Sequence, residues 1–205
     1  METHEPPSLT SLPVNLSRRQ VCSEPFPHFC VEDAMCSEME QSALEWLESQ
    51  APWTLAQREF YEQHEFSLLH HDLPSPVSFL TASSLTDYFK AALGRAFGVT
   101  FENRFDVTAH RLTSKQVIKI HNDYLPGQET HRLLIQLNRS WETSQGGLLI
   151  LFSEPRAEAA AKFILPKSRS AFGFEISPRS LHAVSTIRSG SRFTLVYSFY
   201  ARRSP

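Results

Sequence analysis

The sequence predicts a mainly β protein with supporting helices, built as one domain around a double-stranded β-helix, or jelly roll. Its 205 residues suit a single hydrophobic core, because chains usually divide into domains only above about 250 residues. Hydrophobic residues make up 41% and aromatic residues 11%, which is enough to fill that core. After residue 100, short runs of β-branched and aromatic residues alternate with Ser, Gly, Pro and Asn, a pattern typical of all-β domains.

Composition also predicts the domain limits. Residues 1–24 contain three prolines among Ser, Thr and Glu and show no clear periodicity, so we expect a loosely ordered N-terminal lead-in. Residues 25–205 are expected to form a single domain. Within it, residues 25–100 would supply helical support and residues 101–202 the jelly-roll core.

Two amphipathic helices are predicted in the first half of the chain. Apolar residues recur at spacings of three and four over about residues 31–50 and again over residues 83–97. Pro52 ends the first pattern, and Gly98 stands where a C-terminal cap is expected. Between the helices, residues 60–66 are interpreted as an edge strand packed on the barrel, with a lid over the pocket as the alternative.

Eight short strands are predicted in the second half, a number that can close as a double-sheet jelly roll. A short helical turn is expected over residues 156–161. The predicted strands are 104–112, 116–121, 131–138, 147–152, 161–164, 170–175, 181–186 and 192–200.

The charge balance disfavours nucleic acid as a partner. Twenty Lys and Arg against 22 Asp and Glu give a net charge of −2, with no surplus of cations for a phosphate backbone. The longest apolar run, around residues 147–152, is far shorter than the roughly 20 residues that a bilayer requires. The N-terminus lacks the features of a secretory signal. We therefore expect a cytoplasmic protein with neither a nucleic-acid nor a membrane partner.

Three cysteines lie near the N-terminus, at Cys22, Cys30 and Cys36. An odd number argues against a secreted disulfide framework, so we expect reduced thiols. Together with His28 they invite a zinc interpretation. Cys30 lies eight residues after Cys22, two after His28 and six before Cys36, and these spacings do not match a paired Cys-x2-Cys arrangement. Core or surface thiols are therefore the preferred interpretation.

The residues 117–123 end a predicted strand with a histidine, one intervening residue and an aspartate. Because side chains alternate along a strand, His121 and Asp123 are expected on one face. His182, sixty-one residues after His121, lies in another predicted strand. Two histidines and one carboxylate make the facial triad that binds non-haem Fe(II) and leaves positions open for substrate and dioxygen. His131 is the alternative third ligand, and His182 is preferred because it is borne on a strand.

Arg192 opens the last predicted strand, ten residues after His182. A His-x-Asp pair, a distal His and a basic residue in this order resemble the iron(II)- and 2-oxoglutarate-dependent dioxygenases, specifically their prolyl-hydroxylase-like branch. The resemblance covers about residues 105–200 and implies a cupin-like jelly roll. Further segments similar to that branch are His131–Asn138, Trp141 and Gly146–Leu148, which match its "YLN, W, GGxL" stretch, and Pro25–Phe29, which matches the opening of bacterial members.

The resemblance implies three cofactors or cosubstrates, which are Fe(II), 2-oxoglutarate and O2. His121, Asp123 and His182 would bind the iron. Arg192 would bind the distal carboxylate of 2-oxoglutarate, because a guanidinium offers a charged, planar fork to a carboxylate. Asp123 favours hydroxylation over halogenation, since relatives that bind a halide carry a small residue there. Gln136 stands where relatives carry the Tyr of "YLN", and it is interpreted as a further contact to the cosubstrate.

Candidate substrate contacts surround these positions. Arg111, ten residues before His121, is expected to face the pocket and bind the cosubstrate or an acidic group of the substrate. Tyr124 begins a loop expected to border the mouth, and Tyr61 and Gln63 are further candidates.

The predicted function is hydroxylation of an unactivated C–H of an amino-acid side chain in a peptide or protein, with decarboxylation of 2-oxoglutarate to succinate. One alternative keeps this chemistry and changes the substrate to a free amino acid or a small biosynthetic metabolite. A second alternative, from another class, is a non-catalytic jelly-roll protein that senses a metal or ligand.

Overall fold

The computed structural model describes residues 13–202. Two α-helices, α1 (Ser37–Ser49) and α2 (Ser83–Phe97), lie in the first half of the chain. The twelve strands are β1 (Gln20–Cys22), β2 (His28–Val31), β3 (Thr54–Gln57), β4 (Glu62–Ser67), β5 (Phe101–Leu112), β6 (Ile118–His121), β7 (His131–Gln136), β8 (Leu149–Phe152), β9 (Ala160–Ile164), β10 (Ala171–Glu175), β11 (His182–Val184) and β12 (Arg192–Ala201).

The strands form two sheets. The larger sheet has eight strands in the order β1-β2-β10-β7-β12-β5-β4-β3, and the smaller has four in the order β6-β11-β8-β9. Every named strand pair is antiparallel. From β5 to β12 the chain passes back and forth between the two sheets, with β8 and β9 as consecutive strands of the smaller sheet, as in a double-stranded β-helix. The predicted fold class, mainly β with a jelly-roll core and supporting helices, is confirmed.

All eight strands predicted in the second half are present. Their bounds shift by a few residues, and the largest shortening is at β11, predicted over 181–186, which has a register irregularity against β6. The helical turn predicted over 156–161 is a 3-10 turn at residues 157–159. The helix predicted over 83–97 is confirmed, and Gly98 caps it with a left-handed φ of 71°.

Three expectations for the first half are wrong. The helix predicted over 31–50 begins only at Ser37, because Val31 belongs to β2 and Asp33 has a φ of 50° that no helix accommodates. The run 60–66 is not an edge strand, since β4 lies between β5 and β3. The loose lead-in does not extend over residues 13–24, where Leu16 is fully buried and β1 pairs with β2.

Residues 1–12 of the predicted lead-in lie outside the described residues. That residues 25–205 form a single domain stays a prediction.

The last strand, β12, separates two layers of the core by alternation of its side chains. Its odd-numbered residues Leu195 and Tyr197 belong to the same buried cluster as Leu44 of α1 and Phe89 of α2, so the helices cover the outer face of the larger sheet. Each such buried side chain contributes about 1.5–3 kcal/mol of transfer free energy. The even-numbered residues Arg192, Thr194 and Val196 line the space between the two sheets. Whatever β12 presents on that inner face is therefore held by a packed outer face.

Some expectations about the surface can be followed in the structure. Cys22 and Cys30 are exposed and Cys36 is partly buried, and none of the three is in a disulfide. In residues 13–202, no cysteine joins a cluster suited to a metal ion. The helices in that range are too short or too polar to cross a bilayer. The cytoplasmic location stays a prediction.

Candidate active site

The three predicted metal ligands converge at the meeting point of β6 and β11. His121 and His182 face each other in the antiparallel register, with ring centroids 4.2 Å apart. Asp123 follows with a φ of 59°, and this left-handed turn brings its carboxylate back towards both rings. Its oxygens lie 3.4 Å from His121 Nε2 and 3.2 Å from His182 Nε2. One donor atom from each residue therefore lies within 4.8 Å of the others.

Backbone carbonyls fix the tautomer of both histidines. His121 Nδ1–H donates to the carbonyl of Lys119 at 2.9 Å, and His182 Nδ1–H donates to that of Ser180 at 2.7 Å. A carbonyl can only accept, so each Nδ1 must carry the proton and each Nε2 presents a lone pair. The ring of Phe60 stacks on His121 at 4.7 Å and restricts its rotation. Both lone pairs are thus directed to the side where Asp123 lies.

The two ligand-bearing loops are tied together by side chains. The hydroxyl of Ser180, which is fully buried, donates to the carbonyl of Asn122 at 2.8 Å. Asn122 Nδ2 donates in return to the carbonyl of Pro178 at 3.1 Å. These bonds hold the backbone beside Asp123 against the turn that precedes His182.

Arg132, on β7, neutralises the carboxylate of Asp123. Its Nη1 lies 2.6 Å from Asp123 Oδ2, and its Nη2 contacts Glu129 at 2.7 Å. Burial acts to raise the pKa of Asp123, but the adjacent positive charge of Arg132 is the main opposing influence, and that pKa lies well below its usual value. Asp123 is therefore ionised and able to act as a metal ligand.

A cavity of about 290 Å³ lies between the two sheets and includes all three ligands. Apolar side chains from both sheets form much of its wall, which limits the water that can enter. The lining residues are Phe60, Tyr61, Gln63, Glu65, Thr108, His110, Ile118, His121, Asp123, Arg132, Leu134, Leu149, Phe174, His182, Val184, Arg192, Thr194 and Val196.

Arg192 lies in the wall of this cavity as a buried cation. It is 3% exposed, its Nε donates to the carbonyl of Gly147 at 3.0 Å and its Nη1 donates to Thr194 Oγ1 at 2.8 Å. Within the described residues its Nη2 has no hydrogen-bond partner. Burial lowers the pKa of Arg192 to about 10. Both of its bonds go to neutral oxygens, so the site lacks the anion that a buried guanidinium normally pairs with.

Gly147 explains why the predicted Gly-Gly segment matters for Arg192. Its φ is 68°, and a Cβ at this position would lie 3.1 Å from Arg192 Cδ and 2.7 Å from a side-chain carbon of Ile187. A larger residue would displace the guanidinium from the carbonyl that orients it.

Gln136 does not line the cavity, although the sequence assigned it to the cosubstrate. Its Oε1 accepts from the hydroxyl of Thr194 at 3.0 Å and from Asn138 Nδ2 at 3.4 Å. Thr194 in turn accepts from Arg192. Gln136 therefore orients Arg192 through Thr194 instead of contacting a ligand in the cavity.

Arg111 lies on the wrong face of β5 for its predicted role. Thr108 and His110 share one face of β5 and line the cavity. Arg111 lies on the opposite face, where its guanidinium is 4.9 Å from the ring of Trp53. Trp53 packs against the core on the helical side of the sheet. The expected contacts of Arg111 with the cosubstrate or substrate are therefore wrong.

The remaining predicted residues divide between the wall, the surface and the core. Tyr61 and Gln63 line the cavity, as expected of substrate contacts. Tyr124 is 42% exposed and is not part of the cavity wall. His131, the rejected alternative ligand, packs against Phe97 and is absent from the wall.

Sequence reasoning missed three polar residues of the wall: Arg132, His110 and Glu65. Burial, followed by the charge of Arg132, lowers the pKa of His110 to about 3, so this side chain is neutral. Alternation along β5 could have identified His110. Alternation with Tyr61 and Gln63 could likewise have identified Glu65. Arg132 gave no such signal, because no local pattern indicates which carboxylate it contacts.

The donor set fits the groups that the sequence predicts. Two neutral imidazole nitrogens and one carboxylate, all on one side of a cavity, are the ligands of a non-haem Fe(II) site. The orphaned Nη2 of Arg192, in the same cavity, fits the distal carboxylate of 2-oxoglutarate.

Comparison with solved structures shows the class of fold. A Pseudomonas putida prolyl-4-hydroxylase superimposes with a TM-score of 0.69 at 16% identity, over 85% of this chain and 92% of that one. A prolyl hydroxylase from Trichoplax adhaerens, in complex with a hypoxia inducible factor oxygen degradation domain peptide, gives 0.70 at 13% identity over 84% and 83%. A 2OG-Fe(II) oxygenase family member from Burkholderia pseudomallei gives 0.58 at 16% over 86% and 88%. The chain has the fold of these oxygenases.

Comparison of sequences finds a relative that matches part of the chain. The chain is 27% identical over 117 residues to the mouse prolyl 3-hydroxylase OGFOD1, which covers 55% of this chain. It spans about a fifth of that relative's length, namely 21%. No family model matches the chain. The resemblance to the prolyl-hydroxylase-like branch is thus confirmed by the fold and by this relative.

Proposed function

We propose that the chain is an Fe(II)- and 2-oxoglutarate-dependent dioxygenase that hydroxylates an amino-acid side chain in a peptide or protein. The observation that carries this proposal is the content of one cavity. It contains three metal-ligand atoms within 4.8 Å and, in the same cavity, a buried arginine whose Nη2 has no partner among the described residues. A protein that senses only a metal would need the three metal ligands but would have no use for this arginine.

The residues divide the work between binding and exclusion of water. When bound, iron(II) and 2-oxoglutarate supply oxidative decarboxylation coupled to insertion of one oxygen atom of O2 into a C–H bond. His121 and His182 offer Nε2 to the metal, and Arg192 orients the cosubstrate through its distal carboxylate. Arg132 keeps Asp123 ionised at its position. Apolar walls exclude water that would compete for the reacting centre.

A peptide or protein substrate is favoured over a small metabolite. The similar structure from Trichoplax adhaerens is in complex with a peptide, and OGFOD1 is named a prolyl 3-hydroxylase. In this chain, exposed Tyr124 and Leu125 follow Asp123 directly, and Leu125 is 64% exposed. These apolar groups suit a docked polypeptide. The metabolite alternative relied on an inward-facing Arg111, which instead lies against Trp53.

Anaerobic titration tests the proposal. Fe(II) followed by 2-oxoglutarate should give the weak visible charge-transfer band of keto-acid chelation. We expect His182→Ala to raise the Kd for Fe(II) at least about a hundredfold, since even outer-shell partners of a metal are worth tenfold to a hundredfold. The exposed His70 provides a matched control, because His70→Ala removes an imidazole far from the cavity wall.

Two results would reject the proposal. One is a folded wild-type protein that forms no band. The other is an unchanged band in His182→Ala, which would show that the metal binds elsewhere.

A further inference from the structure

Two acceptor groups on β4 project into the cavity and have no role in binding iron or 2-oxoglutarate. Gln63 and Glu65 alternate with outward-facing residues, and both line the wall. Glu65 lies opposite His110 in the register between β4 and β5. Gln63 is only 2% exposed, so its side chain is fixed within the wall.

The amide orientation of Gln63 follows from its contact with Glu65. Gln63 Nε2 donates to Glu65 Oε2 at 2.7 Å, and a carboxylate can only accept, so the amide cannot be reversed. Its Oε1 must then face away from Glu65. Within the described residues this buried oxygen has no partner. A buried acceptor without a donor costs about 1–3 kcal/mol, so the wall has an unfilled acceptor position.

Glu65 is also without a cation. In residues 13–202, no Lys, Arg or His nitrogen forms an ion pair with its carboxylate. Its second donor is the hydroxyl of Tyr61 at 3.5 Å. Both cavity arginines are otherwise engaged, since Arg132 pairs with Asp123 and Arg192 is assigned to the cosubstrate. A partly buried carboxylate that accepts only from neutral donors attracts a positively charged hydrogen-bond donor.

Aromatic rings complete this corner of the cavity. Phe60 and Tyr61 line the wall beside Glu65, and their ring centroids lie 4.9 Å apart. The faces of aromatic rings attract ammonium and guanidinium groups. A carboxylate, an unpartnered amide oxygen and two aromatic rings in one corner are complementary to a cation with several N–H donors.

We propose that the side chain hydroxylated by this protein is cationic, an arginine or lysine, whose N–H groups bind Glu65 Oε1 and Gln63 Oε1. This inference rests on the proposed function and specifies its substrate class. A prolyl ring has no side-chain N–H and would leave both acceptors unfilled. Each turnover converts one C–H of the side chain to C–OH and 2-oxoglutarate plus O2 to succinate and CO2. One oxygen atom enters the hydroxyl group and the other enters succinate.

A panel of capped pentapeptides tests the inference. The host Ac-Ala-Ala-Xaa-Ala-Ala-NH2 carries Arg, Lys, Pro, Gln or Glu at Xaa, and free L-arginine and L-lysine are assayed beside it. Succinate formation and a product heavier by one oxygen atom are measured with the iron-loaded protein. We expect the Arg or Lys form to exceed the Pro, Gln and Glu forms by about tenfold or more, as for one charge-assisted hydrogen bond. Free amino acids that outperform the peptides would identify a metabolite as the source of the cation.

Variants at Glu65 test whether this side chain determines the preference for a basic substrate. Glu65→Gln should reduce the preference for the basic over the Gln peptide about tenfold, and Glu65→Lys should favour the Glu peptide. Glu62→Gln is the matched control, since Glu62 lies on the same strand, is exposed and is not part of the wall. The charge-transfer band shows in each variant whether the metal site is folded.

The outcomes separate this inference from the proposed function. Absence of the band in the wild-type protein rejects the proposed function itself. A normal band with the Pro peptide preferred, with no preference, or with no peptide or amino acid coupled, overturns the inference and leaves the proposed function standing. A basic preference that survives both Glu65 variants also overturns it.

Discussion

Two arginines line the cavity, half-buried Arg132 and buried Arg192, and they differ in what neutralises them. At the metal end, Arg132 pairs with two carboxylates, those of Asp123 and Glu129. On the β12 wall, Arg192 bonds only to the carbonyl of Gly147 and the hydroxyl of Thr194. The two cations therefore have opposite electrostatic surroundings although they line the same cavity.

These different surroundings shift the pKa values of the two arginines in opposite directions. Burial acts to lower the pKa of Arg132, but the Asp123 and Glu129 carboxylates outweigh it and raise that pKa. Burial of Arg192 is not compensated, and its pKa is lowered to about 10. A buried charge without a counter-ion destabilises the protein until an anion binds. Arg132 thus stabilises the carboxylate of Asp123, and Arg192 is the cation that we propose binds the distal carboxylate of 2-oxoglutarate.

The same substitution at both positions gives the largest expected contrast. We expect Arg132→Met to lower the free energy of unfolding by about 3 kcal/mol, because Asp123 would stay buried without its cation. Arg192→Met should not lower it, because that substitution removes an unpaired buried charge. Urea denaturation of the metal-free proteins measures both. Equal losses in the two variants would mean that the two arginines do not differ in this way.

The ligand-binding half of the contrast is expected next. Arg192→Met should raise the Kd for 2-oxoglutarate about a hundredfold while iron affinity is retained, since losing one partner of a buried charge pair costs about 2–5 kcal/mol. Titration of the charge-transfer band with 2-oxoglutarate measures it. An unchanged Kd would remove Arg192 from the cosubstrate site.

A smaller effect is expected one residue further from the ligand. Gln136→Leu leaves the hydroxyl of Thr194 without its acceptor and should raise the Kd for 2-oxoglutarate about tenfold or less. Gln41→Leu, on the exposed surface of α1, is the control. A loss as large as that of Arg192→Met would indicate direct contact of Gln136 with the cosubstrate.

The last prediction concerns pH and a histidine outside the cavity. Burial lowers the pKa of His131 to about 4 from its ordinary value of 6.5. Below pH 6.5 the unfolded chain binds a proton at His131 that the folded chain does not bind. The free energy of unfolding therefore decreases as the pH is lowered, by up to about 1.4 kcal/mol per pH unit, down to about pH 4. Urea denaturation across this window should give a shallower fall for His131→Leu. An identical slope would mean that His131 is protonated in the folded state.

The sequence predicted most of the fold where alternation was strong. The strands from β5 to β12 were identified because apolar and turn residues alternate clearly along them. The strands β1 and β3 were missed because their residues are mostly exposed and carry no apolar alternation. Their pairing comes from contacts with β2 and β4, which a local pattern does not contain.

The site divides in the same way. His121, Asp123, His182 and Arg192 were predicted because their types and spacing are distinctive along the chain. The ion pair of Arg132 with Asp123 joins β7 to the loop after β6, and no spacing rule predicts which arginine reaches that carboxylate. Arg111 was expected to face the cavity, but the residue of β5 that faces it is the preceding one, His110.

The hydrogen bonds that set the histidine tautomers have a consequence for tolerance to mutation. Each Nδ1 donates to the carbonyl two residues earlier in the chain, that of Lys119 on β6 and that of Ser180 in the turn before β11. Every amino acid has a carbonyl, so substitutions at these two positions retain the acceptor as long as the strand persists. In sites where a second side chain orients the histidine, a single mutation can abolish that orientation. Here the backbone orients the two histidines, so the side chains at the two carbonyl positions can change without altering the ring nitrogen that each histidine presents.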